Sequence, residues 1–336
     1  MSYNEATVAS NLLNPATLSF CLGAVARFVR SDLAIPKDIS SAISVFLLFS
    51  IGLKGGHELS QASLSGVVGP ALATLLLGVL TPIVAFLLLR LMGRLSVVDS
   101  AAIAAHYGSV SVVTYIAAEG FVSAMVSQRP EMKPLEGYMP TLVALLESPG
   151  ITVALLLGVL MGPYAQGRST ASLLHEVITG RTMFLLVGGL ILGSAMGTKN
   201  WESIALFFDP RGAMFRGLLC IFLLEMGISA ASRFREVRSI GIFMLGVGII
   251  LPVINAVLGV GLGQLSGLSV GGTAVLATMA ASASYIAAPA AVRASLPDAN
   301  PAYYLTLSLA ITFPFNIIIG IPLYFSVADW YFRILA

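Results

Sequence analysis

The sequence predicts an all-α integral membrane protein: ten transmembrane helices as two inverted five-helix repeats, with two of the helices interrupted. Three observations lead there. Of the 336 residues, 57% are hydrophobic and only 10% charged, whereas a globular chain that must wet its surface carries about 25% charged residues. The apolar runs are continuous and long, unlike the alternating segments of about ten residues that a β-barrel needs. Several local patterns of the first half also return, in order, in the second.

A hydrocarbon core about 30 Å thick takes about 20 helical residues at 1.5 Å rise each. Helices satisfy their own backbone in lipid, where water is missing. Apolar runs between charged or Pro/Gly-rich breaks define segments near 14–29, 37–54, 67–91, 97–126, 138–163, 181–197, 213–232, 239–265, 270–295 and 301–330. The first repeat is expected over residues 1–163, a cytoplasmic connection over 164–180, and the second repeat over 181–336. Alternating the connections with the N-terminus outside puts most of the 18 basic residues inside, the Arg233, Arg235 and Arg238 cluster above all. This is the pattern of a plasma (inner) membrane protein with both termini outside. No cleavable signal peptide is expected, because no Lys or Arg precedes Arg27.

The repeat rests on spacing. Leu77-Gly78-Val79, Pro82, Gly93 and Ser96 are answered by Leu245-Gly246-Val247, Pro252, Gly263 and Ser266. Gly108-Ser109-Val110-Ser111 is answered by Ala281-Ser282-Ala283-Ser284, and Tyr-Ile-Ala-Ala follows each, at Tyr115 and at Tyr285. Ser50-Ile51-Gly52 is answered by Glu225-Met226-Gly227. An odd number of helices per copy inverts the second copy, a recurrent design of secondary transporters.

In such designs ligands sit at the midplane, where helices break and expose positive amide ends and negative carbonyl ends. The two serine stretches place small residues and hydroxyls where a spanning helix should be apolar. Hydroxyls both donate and accept, so they can line an anion or coordinate a sodium ion. Ser and Thr among Gly and Ala are also ordinary packing residues of membrane helices. Their equivalent positions in two repeats favour a small polar pocket for an oxyanion with a cation beside it.

Intramembrane ionisable groups are costly unless paired or hydrated. Glu225 reads as embedded, whereas Glu119 and Glu147 read as nearer segment ends, with a rim carboxylate an equal alternative. Lys54 is expected to snorkel to the interface. Arg293 serves either a salt bridge or an anion, His106 reads as packed, and Asn255 and Asn316 read as interhelical hydrogen-bond partners. No zinc, phosphate-loop or nucleophile-triad pattern is present. The net charge of +2 gives no reason to expect nucleic acid. A receptor would need a larger extramembrane domain, and an intramembrane enzyme would need a reactive constellation.

Further stretches carry a family likeness: Ile51-Gly52-Leu53-Lys54-Gly55-Gly56, Asp209-Pro210, Phe215-Arg216-Gly217-Leu218-Leu219, Ala280 to Ser284, Pro289, Arg293-Ala294 and Pro297-Asp298-Ala299-Asn300-Pro301. In these the chain resembles the cyanobacterial sodium-dependent bicarbonate transporters. The resemblance implies core and gate domains, an elevator-like movement and a homotrimer. It implies bicarbonate at Gly108, Ser109, Ser111, Ser282, Ala283 and Ser284, and sodium at Ser111, Thr114, Ser284 and Tyr285. No cofactor is implied beyond the coupling ion. The cyanobacterial pattern has an aspartate where this chain has Tyr285, and a longer loop where this chain has residues 164–180; the partner implied there is a PII-like regulatory protein. The alternative within transport is a proton- or sodium-coupled carrier of another small monovalent anion or carboxylate.

Overall fold

The fold was analysed in a computed structural model, which describes residues 13–129, 131–162, 175, 179–237 and 240–335. Most of the expected connection 164–180, with Arg168, lies outside the described residues, as does Arg238. Among the described residues the regular structure is entirely helical. The helices are α1 (Pro15–Phe28), α2 (Lys37–Gln61), α3 (Leu64–Leu91), α4 (Val97–Tyr107), α5 (Val112–Ser127), α6 (Met139–Met161), α7 (Arg181–Phe208) and α8 (Ala213–Ser232). After a short helix at Phe234–Val237 come α9 (Gly241–Leu265), α10 (Val270–Ala280), α11 (Ala288–Ser295) and α12 (Pro301–Ile334).

Among the described residues eight spans are long and apolar enough to cross a membrane, counting α4 and α5 as one. α1, at 14 residues, and α10, at 11, are shorter; α1 covers about 21 Å at 1.5 Å per residue. Large apolar side chains such as Leu64, Ile242 and Leu265 lie open at the surface, where lipid rather than water suits them. The chain is therefore a multi-pass, all-α membrane protein.

Two helices run past their expected ends. α2 continues to Gln61 because Lys54 does not reach for the interface. Its ammonium pairs with Glu58 at 2.6 Å and Asp209 at 3.3 Å and lies over the Trp201 ring. α7 is interrupted at Gly197, whose φ of 71° suits a residue without a Cβ, and turns helical again to Phe208. That second part carries Trp201, which stacks on His57 at 5.0 Å.

Helix pairing follows the small residues. α2 packs along α7, and α1 along α8. A Cβ on Gly52 would come within 2.7 Å of the Leu186 carbonyl oxygen. On the other pair, a Cβ on Gly227 would run into the Phe20 carbonyl, and one on Gly23 into that of Leu224. Close backbone approach is the usual source of packing energy between helices in lipid. Gly52 and Gly227 are the two residues matched in the sequence repeat, and each seats its helix on its partner. The remaining helices pack mainly on one another, α3 with α4 and α6, and α9 with α10 and α12.

The half-helices start with matched caps. Ser96 accepts from the amide of Asp99 (2.9 Å) ahead of α4, and Ser269 from that of Gly272 (3.0 Å) ahead of α10. Each cap is braced from the far loop of the other half. The Asn300 amide donates to Asp99 at 2.8 Å, while the Ser269 amide and hydroxyl donate to Glu136 at 2.6 and 3.0 Å. Such caps contribute about 0.5–2 kcal/mol each. Glu136→Ala is expected to lower the thermal unfolding midpoint without abolishing transport; an unchanged midpoint in a melting assay would rule out the brace.

Candidate functional site

α4 and α5 form one segment broken at Gly108 to Ser111, and α10 and α11 a second broken at Ala281 to Ala287. The caps fix their directions. Asp99 at the start of α4 meets Asn300 just past α11, and Ser269 at the start of α10 meets Glu136 just past α5. The two broken segments therefore run antiparallel and cross at their breaks.

The contacts at the crossing are direct. The Ser282 hydroxyl accepts from the Ser111 amide at 2.8 Å and donates to the Met279 carbonyl at 2.7 Å. The Ser284 amide donates to the His106 carbonyl at 2.8 Å. Ser111 caps α5, its oxygen accepting from the Thr114 amide at 3.3 Å and hydroxyl at 2.9 Å. Ser284 offers its oxygen to the Ala288 amide at 3.4 Å, at the start of α11. Two helix N-termini and two helix C-termini thus converge, a paired source of partial positive and negative charge.

The layer is polar and buried. The apolar core divides at this level into two clusters. One holds Val110 to Met125, Leu142 to Leu146 and Ala274 to Ala281; the other holds Ala101 to Tyr107, Ile151 to Val159 and Ala283 to Ala299. Between them lie buried Ser109, Ser111, Thr114, Ser282 and Ser284.

α12 supports the crossing from behind. It widens into π-turns at Thr306–Thr312 and Asn316–Gly320, the wide turns that often mark working positions in a helix. Asn316 donates to the Ala281 carbonyl at 2.9 Å and accepts from the Tyr324 hydroxyl at 2.8 Å. Thr312 donates to the Gly248 carbonyl at 2.7 Å and meets the Tyr107 hydroxyl at 2.6 Å. Asn316 is an interhelical partner, as its sequence context suggests; Asn255 is buried with no partner among the described residues.

Gly108 has a packing reason to be glycine. A Cβ there would come within 2.8 Å of the Pro82 side chain and 2.9 Å of the Gly150 Cα. α3 and α6 thereby press on the break from one side. His106 stacks on Tyr304 at 4.6 Å and holds the Ala102 carbonyl at 2.7 Å.

A small cavity of about 10 Å³ opens at the crossing, lined by Ser111, Glu147, Thr182, Ser284 and Tyr285 among others. That is room for about one water-sized body. A cavity of about 300 Å³, lined by Glu147, Arg181, Thr182, Ile286 and Ala290, shares residues with it and leads away toward α11. Toward the other end lies a cavity of about 520 Å³, with Glu119, Arg211 and Arg216 in its walls.

The sequence underrated Glu147. It is not at a segment end but is the ninth residue of α6, 1% exposed, with Oε2 lacking a hydrogen bond among the described residues. A carboxylate in the middle of an apolar run, two residues before Pro149, was the available signal; that α6 crosses the breaks was not. Thr182 was missed outright. Glu225 is embedded but served, accepting from Ser40 at 3.3 Å and Ser229 at 2.9 Å. Arg293 is exposed and donates to the Pro289 carbonyl of its own helix at 3.1 Å.

Residues 15–329 match the Na+-dependent bicarbonate transporter superfamily, nearly the whole chain. The protein belongs to this superfamily. The superfamily is one of transporters, not enzymes, with bicarbonate and sodium as its transported species. No curated protein matches the chain. Tyr285, which lines the small cavity, packs its ring against Phe313 at 5.2 Å.

Proposed function

We propose that this protein carries bicarbonate into the cell together with sodium, by an elevator-like alternating-access movement. The observation that carries the reading is the antiparallel crossing of the two broken segments, joined by the hydrogen bond from the Ser111 amide to Ser282. Around it, Gly108, Ser109, Ser111, Ser282, Ala283 and Ser284 hold the anion against the N-termini of α5 and α11. Ser111, Thr114, Ser284 and Tyr285 supply oxygens to the sodium ion. The positive helix ends suit an oxyanion and the hydroxyl oxygens suit the cation.

Membership in the superfamily supports the substrate, and the packing supports the movement. α1, α2, α7 and α8 form one group that serves as the gate, and the other helices form a core that holds the site. Cavities of about 520 and 300 Å³ lie toward opposite ends of the crossing, as access from alternate sides requires. The ten segments then form two inverted repeats, residues 1–163 and 181–336, in the inner membrane with both termini outside. A homotrimer and a PII-like partner complete the reading taken from the resemblance.

Purified protein in proteoliposomes is expected to accumulate labelled bicarbonate several-fold faster under an inward sodium gradient than under potassium. Equal rates in the two salts would refute sodium coupling, and no uptake in either would refute the substrate. Ser111→Ala and Ser284→Ala should each cut the sodium-driven rate at least about five-fold, the equivalent of losing about 1 kcal/mol of polar contact.

A further inference from the structure

We infer that Glu147 supplies the carboxylate of the cation site at the crossing, so that a monovalent cation binds there as a neutral pair. The inference deepens the sodium-coupled reading and rests on it for the identity of the ion.

Glu147 lies on α6, outside both broken segments and outside every serine stretch. Its side chain is almost wholly buried, and its Oε2 has no hydrogen bond among the described residues. It lines the small cavity together with Ser111, Thr182, Ser284 and Tyr285, and it also lines the 300 Å³ cavity beyond. The Tyr285 and Ser109 hydroxyls are likewise buried without a well-formed hydrogen bond among the described residues, Ser109 lying beside the Glu147 carboxyl and Tyr285 beside Ser111. Several oxygens therefore converge with unused lone pairs. A carboxylate, two serines, a threonine and a phenol form the hard oxygen donor set that alkali and alkaline-earth cations take.

Charge decides the valence. A buried carboxylate is costly without a compensating cation. Among the described residues no Lys, Arg or His forms an ion pair with Glu147. Arg181 lines the larger cavity but donates to the Ser41 hydroxyl at 2.7 Å. One carboxylate and one monovalent ion cancel, whereas a divalent ion would leave a net charge in a buried layer. Size agrees, since the cavity admits about one water-sized body. A neutral cation site also leaves the helix N-termini free to hold the anion. Because Glu147 borders both the small cavity and the larger one, an ion moving between them passes it.

The test separates this site from the transport reading. Binding of labelled sodium to purified wild-type, Glu147→Gln and Glu147→Asp proteins is measured with and without bicarbonate, alongside bicarbonate uptake by each. Glu147→Gln is expected to weaken sodium binding at least tenfold, and Glu147→Asp, which keeps the charge but withdraws it by one methylene, by a smaller factor. Potassium should compete poorly in the wild type. Wild-type sodium affinity in Glu147→Gln, or in a folded Glu147→Asp if the glutamine variant aggregates, overturns the assignment even if uptake is sodium-driven. A wild-type protein that binds no sodium overturns it too. Sodium binding lost in Glu147→Gln, in a wild-type protein that takes up no bicarbonate, would uphold the ion site and refute only the substrate.

Discussion

Ser282→Ala is expected to reduce sodium-driven bicarbonate uptake at least tenfold and to lower the thermal unfolding midpoint. The Ser282 hydroxyl is a side-chain link between the two breaks, accepting from the Ser111 amide and donating to the Met279 carbonyl. Both partners are in the buried layer. Alanine strands a buried N–H, which costs about 1–3 kcal/mol, and a carbonyl besides. The relaxation that follows moves Ser111, the residue common to the proposed anion and cation sites. Thr278→Ala, one turn earlier, is the control. Thr278 only returns its hydroxyl to the Ala274 carbonyl of its own helix at 2.8 Å, so uptake should stay within about twofold. Equal losses in the two variants would show that Ser282 matters only as a packed residue of α10.

Gly150→Val is expected to abolish transport and to yield little folded protein. A Cβ at residue 150 would collide with the Gly108 carbonyl, and the opposing surface is backbone, which cannot swing aside as a side chain can. Gly108 is itself held by Pro82 behind it. Overpacking a tight interior costs about 1–3 kcal/mol and sometimes more. Here the strain falls on the break itself. Gly188→Ala and Gly261→Ala, where a Cβ meets nothing within 4 Å, should leave expression and uptake unchanged. Expression in detergent extracts and uptake in proteoliposomes check all three. A well-folded, active Gly150→Val protein would mean that α6 does not press on the crossing.

Hydropathy made the spans legible, since a run of apolar residues can be satisfied in lipid only as a helix. The breaks were legible for the opposite reason: Gly108, Ser109 and Ser111, and then Ser282 and Ser284, interrupt runs that are otherwise apolar. The glycine pair at 52 and 227 also showed in the sequence, and each proved to be a close helix contact. Lys54 misled because snorkelling and ion pairing look alike along a chain, and its partner Asp209 is far away in sequence. α7 ran beyond 197 because a glycine at positive φ interrupts a helix without ending the apolar face that follows.

By itself, then, the sequence determined the membrane class, the order of the spans and the two places where they break, because these depend on local composition and spacing. Only the tertiary structure decided that the broken segments cross antiparallel, that Ser282 meets Ser111, and that Glu147 turns inward to a cavity shared with Thr182. Those contacts join residues far apart along the chain, and they are fixed by how glycine faces let backbones approach, which no local pattern encodes.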